Sequence, residues 1–187
     1  AALEGFKDVP GTDVIVFYPG DGVSALQKLQ MMTQTGGNVY VAGINGNFDD
    51  AQTAVKKIFT DGAVHKELEK NGYKLSSANS INFGRLVPQI AYYFSSYLDM
   101  VDGGEIEMGE KINFCVPSGN FGNILAGYYA KRMGLPVGRL ICASNKNNVL
   151  TDFIRGGAYS ADRQFYKTTS PSMDILISSN LERLLFE

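Results

Sequence analysis

The amino-acid sequence predicts an α/β fold: a mainly parallel sheet layered with helices, αβα in cross-section. Three observations predict it. Short apolar runs alternate with amphipathic segments through most of the 187 residues. The segments between the runs space their apolar residues at helical rather than strand period. The runs themselves end in clusters of Ser, Asn and Gly, which mark the rim where ligands gather in parallel sheets. Such alternation implies right-handed crossovers between parallel strands.

Taken in order, "AALEGFKD" begins with helix-like residues. "DVIVFYP" (13–19) reads as a strand, and "GVSALQKLQMMTQT" follows with Val23, Leu26, Leu29 and Met32 at helical spacing. "NVYVAGI" (38–44) is a second strand after a Gly-Gly turn. The helix-like "NFDDAQTAVKKIFTD" has Asn47 as candidate N-cap and acidic residues in its first turn. "KLSSAN" (74–79) reads as a third, weaker strand, leading into the long helical segment "FGRLVPQIAYYFSSYLDMV". Pro88 inside that segment predicts a kink or a late start, because proline lacks an N–H and clashes with the preceding turn.

The acidic loop "DGGEIEMGE" changes the local composition, and we place a domain seam there, with residues 1–104 as a small α/β domain and 105–187 as the beginning of a larger one. Beyond it come the strand "KINFCVP" (111–117), a glycine loop, a helix to about Met133, the strand "GRLICAS" (138–144) and the helix-like "NVLTDFIRGG". The final "LERLLFE" also reads as helix. The strand-end rim collects "GINGN" (43–47), "SANSIN" (77–82), "PSGNFGN" (117–123) and "SNKNN" (144–148).

Composition narrows the function. A formal net charge of −2 without blocks of like charge gives no footprint for nucleic acid or an anionic membrane surface. No apolar run reaches the roughly 20 residues that a membrane span needs, and no secretory signal is present. Cys115 and Cys142 lie in apolar strand-like runs and read as small buried hydrophobes. With one histidine, no zinc constellation can be assembled. A cytoplasmic, reducing setting fits, and small neutral or anionic metabolites remain as ligands.

The loop Ser118-Gly119-Asn120-Phe121-Gly122-Asn123 stands between a strand and a helix. Its physics suits an anion, since the first helical N–H groups have no intrahelical acceptor, the helix dipole is positive there, and glycine lets the backbone approach closely. A plain capped turn is the competing reading. A P-loop would need Lys-Ser/Thr where Asn123-Ile124 stand, and the dinucleotide fingerprint would need a third, correctly spaced glycine. Without basic residues between Lys111 and Lys131, the loop is no backbone clamp for RNA. A single phosphate group fits best.

A second candidate is "SSANSINFGR", in which Ser80 and Asn82 offer hydroxyl and amide groups at a strand end and Arg85 follows within one helical turn. A capped helix with a solvated arginine is the competing reading. Lys7 reads as a solvated lysine near the end of a short helix. His65, among charges in "GAVHKELEK", reads as solvated surface.

Together, "VIVFYPGDGVSALQKLQMMTQTGGNVYVAGINGNFDDAQ", "SANSINFGRLVPQIAYYF", "NFCVPSGNFGNILAGYYAKRMGLP" and "ICASNKNNVLTDF" resemble threonine synthase, a pyridoxal-phosphate enzyme of the tryptophan synthase β-like fold (fold type II). The resemblance covers nearly the whole chain in order. It implies conversion of O-phospho-L-homoserine and water to L-threonine and phosphate. It implies a cofactor-phosphate cradle at Ser118, Gly119, Asn120, Phe121, Gly122 and Asn123, and a face toward the substrate's phosphate at Asn79, Ser80, Asn82 and Arg85.

Phe6-Lys7-Asp8 imitates the family's Schiff-base lysine motif, yet in the family that lysine precedes a Ser-Gly-Asp-Thr-Gly loop, which itself directly precedes the helix where this sequence starts. The resemblance therefore implies an internal piece, with the reactive lysine before Ala1, the partner of the pyridine nitrogen after Glu187, and no catalytic residue or independent activity in the chain itself. Two alternatives stand beside this reading: another pyridoxal-phosphate lyase or deaminase of the same fold, and a non-catalytic phosphometabolite-binding module. Oligomeric state is not legible.

Overall fold

The computed structural model describes residues 2–20, 23–46, 48–79 and 82–187, apart from the side chains of Phe48, Asp49 and Pro171. The chain divides into two units, Ala1–Ser76 and Ser77–Glu187. The division therefore falls well before the acidic loop, where the sequence suggested a seam at 104/105. The reason is packing: the long helix ahead of that loop buries Tyr93 and Tyr97 in the core of the second unit.

In the first unit, α1 (Ala2–Gly5) leads to β1 (Val14–Pro19), α2 (Ala25–Met32), β2 (Val39–Ile44), α3 (Phe48–Thr60) and α4 (Gly62–Lys70). The two strands are parallel, in register from Val14 opposite Val39 to Pro19 opposite Ile44. Ser24 caps α2 in a reciprocal capping box with Gln27, and Asp61 caps α4 by accepting from Ala63 N and Val64 N. Asn47, the expected cap of α3, lies outside the described residues. The third strand expected at 74–79 is absent: the stretch is non-repetitive chain. Its Ser and Asn side chains bond to nearby main chain and to each other, a local alternative to a sheet ladder.

In the second unit a 3-10 turn (Phe83–Arg85) precedes α5 (Val87–Asp102), then come β3 (Ile112–Pro117), α6 (Gly122–Arg132), β4 (Val137–Ala143), α7 (Val149–Gly156), a 3-10 turn (Pro171–Met173) and α8 (Leu181–Phe186). Pro88 sits in the first turn of α5, so of the two expected outcomes the helix shows the late start. β3 and β4 are parallel, with a register shift between Ile112 and Phe114 where the Asn113 side chain accepts from Arg139 N at 2.7 Å. Leu125, Ala126 and Ala130 of α6 are fully buried in this unit's core, beside Leu86, Tyr97 and Leu150.

Strand alternation corrects one expectation. Ile112, Phe114 and Val116 are partly buried against the core, so Asn113, Cys115 and Pro117 fall on the other, exposed face. Cys115 is therefore exposed, while Cys142 is half-buried and its thiol is pushed up, chiefly by burial and secondarily by Cys115.

Candidate functional site

The glycine loop lies at the carboxyl end of β3. Ser118 N still donates to Ala143 O at 3.0 Å, extending the sheet pairing by one residue. Ser118 is 3% exposed and donates from Oγ to Asn123 Oδ1 at 2.7 Å. The same oxygen accepts from Ile124 N at 2.9 Å, and Asn123 Nδ2 donates back to Pro117 O at 2.8 Å. Asn123 thereby closes the loop on itself, using its side chain to tie the strand end to the helix start.

Phe121 is the N-cap of α6 and holds a left-handed conformation at φ 66°, one of two described non-glycine residues with positive φ. That conformation costs about 1–2 kcal/mol in an ordinary L-residue. Leu125 N makes the first helical bond, to Phe121 O at 3.0 Å. Among the described residues, the backbone N–H groups of Gly119, Asn120, Phe121, Gly122 and Asn123 find no acceptor. Gly119 and Phe121 are themselves buried. Five successive N–H groups across a left-handed residue and into a helix start are donors of the kind that phosphate oxygens accept from.

The C-terminal stretch closes on this loop, which the sequence did not foretell. Asn120 O accepts from both Asn180 N, at 3.1 Å, and Asn180 Nδ2, at 3.0 Å. A Cβ on Gly119 would stand 2.9 Å from Ile175 Cδ1, so the Ile175 side chain packs closely over this glycine. Tyr159 Oη donates to Leu176 O at 2.9 Å and accepts from Ser178 N at 2.7 Å, fixing the stretch from behind. The one local signal was "SSN" ahead of an apolar helical run, which announces a helix start but not its partner.

The "SNKNN" rim segment is committed to structure. Asp174 Oδ1 accepts from Asn145 Nδ2 (2.7 Å), Asn147 Nδ2 (3.0 Å) and Thr168 Oγ1 (2.7 Å), while Oδ2 accepts from Thr168 N (2.8 Å). This knot ties residues 166–174 to the end of β4.

The second candidate group is partly described. Asn82 caps its 3-10 turn by accepting from Gly84 N at 2.8 Å and donates from Nδ2 to Ser77 O at 2.8 Å. Asn79 Oδ1 accepts from Ser77 Oγ at 2.7 Å. Arg85 is exposed and donates from Nη1 to Ala78 O at 2.6 Å; its other guanidinium N–H groups meet no acceptor among the described residues. Ser80 lies outside the described residues. From this segment, Phe83 reaches α6 two turns after the glycine loop, edge-on to Tyr129 with ring centroids 6.3 Å apart.

Two residues read as plain surface are less free than expected. Lys7 donates from Nζ to Thr35 Oγ1 at 3.0 Å, and Asp8 accepts from Gly37 N at 2.8 Å, so the Phe-Lys-Asp stretch is stitched to the turn before β2. His65 is half-buried, with Nε2 2.9 Å from Phe59 O, which requires the proton on that nitrogen.

No family model matches the chain. It is 49% identical over 192 residues to human threonine synthase-like 1, covering 99% of this chain and 26% of that protein. It is 42% identical to threonine synthase of Saccharomyces cerevisiae and 43% identical to that of Pseudomonas aeruginosa, covering 100% of this chain and 35% and 38% of theirs. Among solved structures, pyridoxal-phosphate-bound threonine synthase from Brucella melitensis superposes with a TM-score of 0.81 at 45% identity, covering 99% of this chain and 38% of that one. The Escherichia coli enzyme gives 0.81 at 34% identity, covering 98% and 40%.

Parallel strands, covering helices and a glycine loop at a strand end thus define an αβα protein of the tryptophan synthase β-like class. The chain belongs to the threonine synthase family, of whose members named here it spans between a quarter and two fifths.

Proposed function

We propose that the chain supplies the phosphate-anchoring part of a threonine synthase, which converts O-phospho-L-homoserine and water to L-threonine and inorganic phosphate with pyridoxal phosphate. The observation that carries this is the run of five N–H groups from Gly119 to Asn123 without acceptors among the described residues. Away from water, an unmet backbone N–H costs about 1–3 kcal/mol, so a ligand that completes several of them has a large margin to gain. A phosphate group matches the donor set: it has only acceptors, carries negative charge toward a helix N-terminus, and needs no side chain where the glycines stand.

In this reading Ser118, Gly119, Asn120, Phe121, Gly122 and Asn123 hold the cofactor's phosphate. Pyridoxal phosphate supplies, when bound, an electron sink for charge developing beside the substrate's amino group. Asn79, Ser80, Asn82 and Arg85 face the substrate's own phosphate, with the spare guanidinium donors of Arg85 as its charged partner. The chain's residues bind and orient, and we assign no proton transfer to any of them. The chain by itself is expected to be inactive, and the complete protein to work in the cytoplasm.

The test is an assay of the complete protein with O-phospho-L-homoserine, measuring threonine and phosphate together. Equal release of both supports the reading; phosphate without threonine opposes it. One observation favours a second reading: threonine synthase-like 1 proteins are 47% to 49% identical to this chain, against 42% and 43% for the Saccharomyces cerevisiae and Pseudomonas aeruginosa threonine synthases and 45% for the Brucella melitensis structure. A pyridoxal-phosphate lyase or deaminase of the same fold would release ammonia in that assay. Release of neither product would leave a non-catalytic binding module.

A further inference from the structure

We propose that Asn180 is a positioning residue for the glycine loop: by holding the Asn120 carbonyl it keeps the Phe121 N–H turned into the phosphate cradle. This rests on the reading of the loop as that cradle. The residue is 1% exposed, and it stands 60 positions along the chain from the residue it holds.

The argument begins with the peptide between Asn120 and Phe121. A trans peptide is planar, with its C=O and N–H pointing in opposite directions. The carbonyl accepts both the backbone N–H and the side-chain amide of Asn180, so it is fixed toward Asn180. The N–H of Phe121 must then face the other way. It is one of the donors without an acceptor among the described residues.

That orientation is costly without a clamp. Rotating this one peptide by about half a turn would carry φ of Phe121 from 66° into the ordinary negative range and relieve the left-handed strain. It would also turn the N–H out of the donor run. Two hydrogen bonds to one carbonyl, each worth about 0.5–1.5 kcal/mol, are enough to offset that strain.

The clamp is itself oriented. Arg183 can only donate, and its Nη1 bonds Asn180 Oδ1. The amide oxygen is thereby assigned to Arg183 and the NH2 group to Asn120. Gly122 leaves the room required, since a Cβ there would stand 3.1 Å from Asn180 Nδ2.

The test compares pyridoxal phosphate with pyridoxal, which lacks the phosphate, as ligands of the complete protein and of its Asn180→Ala and Asn180→Asp variants. Aspartate keeps the size and the acceptor for Arg183 but presents oxygen to the Asn120 carbonyl, so it separates loss of the donor from loss of bulk. Both variants should bind pyridoxal phosphate about tenfold or more weakly, the loss expected for misaiming one donor to a charged group. Pyridoxal affinity should stay within about twofold of the parent's. Equal losses for both ligands, or unchanged pyridoxal phosphate affinity in Asn180→Asp, would overturn the role of Asn180 while leaving the cradle standing. A parent protein that binds the two ligands equally would remove the cradle, and the role of Asn180 with it.

Discussion

Tyr93 on α5 donates its phenolic O–H to the backbone carbonyl of Asn123, 2.6 Å away. The long helix thus holds the glycine loop at the point where α6 begins, and Phe114 of β3 packs edge-on against the same ring with centroids 4.9 Å apart. Tyr93→Phe should cost about 0.5–1.5 kcal/mol in urea unfolding while keeping the ring packing. A larger loss would mean that the hydroxyl does more than this bond.

The same hydroxyl predicts a pH dependence. Burial pushes Tyr93 up to about 12 from its ordinary 10. The folded state therefore keeps a proton that the unfolded state gives up as pH rises through that window. The stability contributed by neutral Tyr93 is fully present below pH 10 and is lost between pH 10 and about 12. Unfolding free energies of the parent and Tyr93→Phe should accordingly converge over that range. A gap that stays constant with pH would contradict the assignment.

Helix α5 approaches α6 where Gly127 has no side chain. A Cβ there would lie 2.6 Å from Tyr93 Cε1 and 3.0 Å from Leu140 Cδ2. Gly127→Ala should gain about 1 kcal/mol of helix propensity and lose about 1–3 kcal/mol to overpacking, for a net loss. Thermal unfolding measures it, and a stabilised variant would show that the two helices can part without cost.

The parts of this structure that were legible in the sequence are those set by local pattern. β1, β2, β3 and β4 were legible as apolar runs, and Pro88 marked its segment for a kink or a late start, of which α5 has the late start. The run "KLSSAN" misled because its small polar side chains bond to the nearby main chain, a choice that periodicity does not record. Cys115 misled because β3 is covered on one face, so alternate residues separate into buried and exposed sets. The glycine loop could be found from residue types. Asn180, which braces it, could not, because nothing local in "SSN" encodes a partner 60 residues away.

The knot around Asp174 makes a prediction of its own. Asp174→Ala would leave the amides of Asn145 and Asn147 without their shared acceptor, and Asn147 is only 6% exposed. A loss of about 2–4 kcal/mol is expected, with hydrogen exchange accelerated at Thr168, whose N–H donates to Asp174 Oδ2. Unchanged protection at Thr168 would show that the segment is held by other contacts.

The central claim is that the backbone of Gly119 to Asn123 holds a phosphate. A crystal structure of the complete protein with pyridoxal phosphate tests it most directly. The account predicts phosphate oxygens at about 2.7–3.2 Å from several of those five nitrogens, with Phe121 still left-handed. A phosphate bound elsewhere, with those N–H groups facing only solvent, would contradict it.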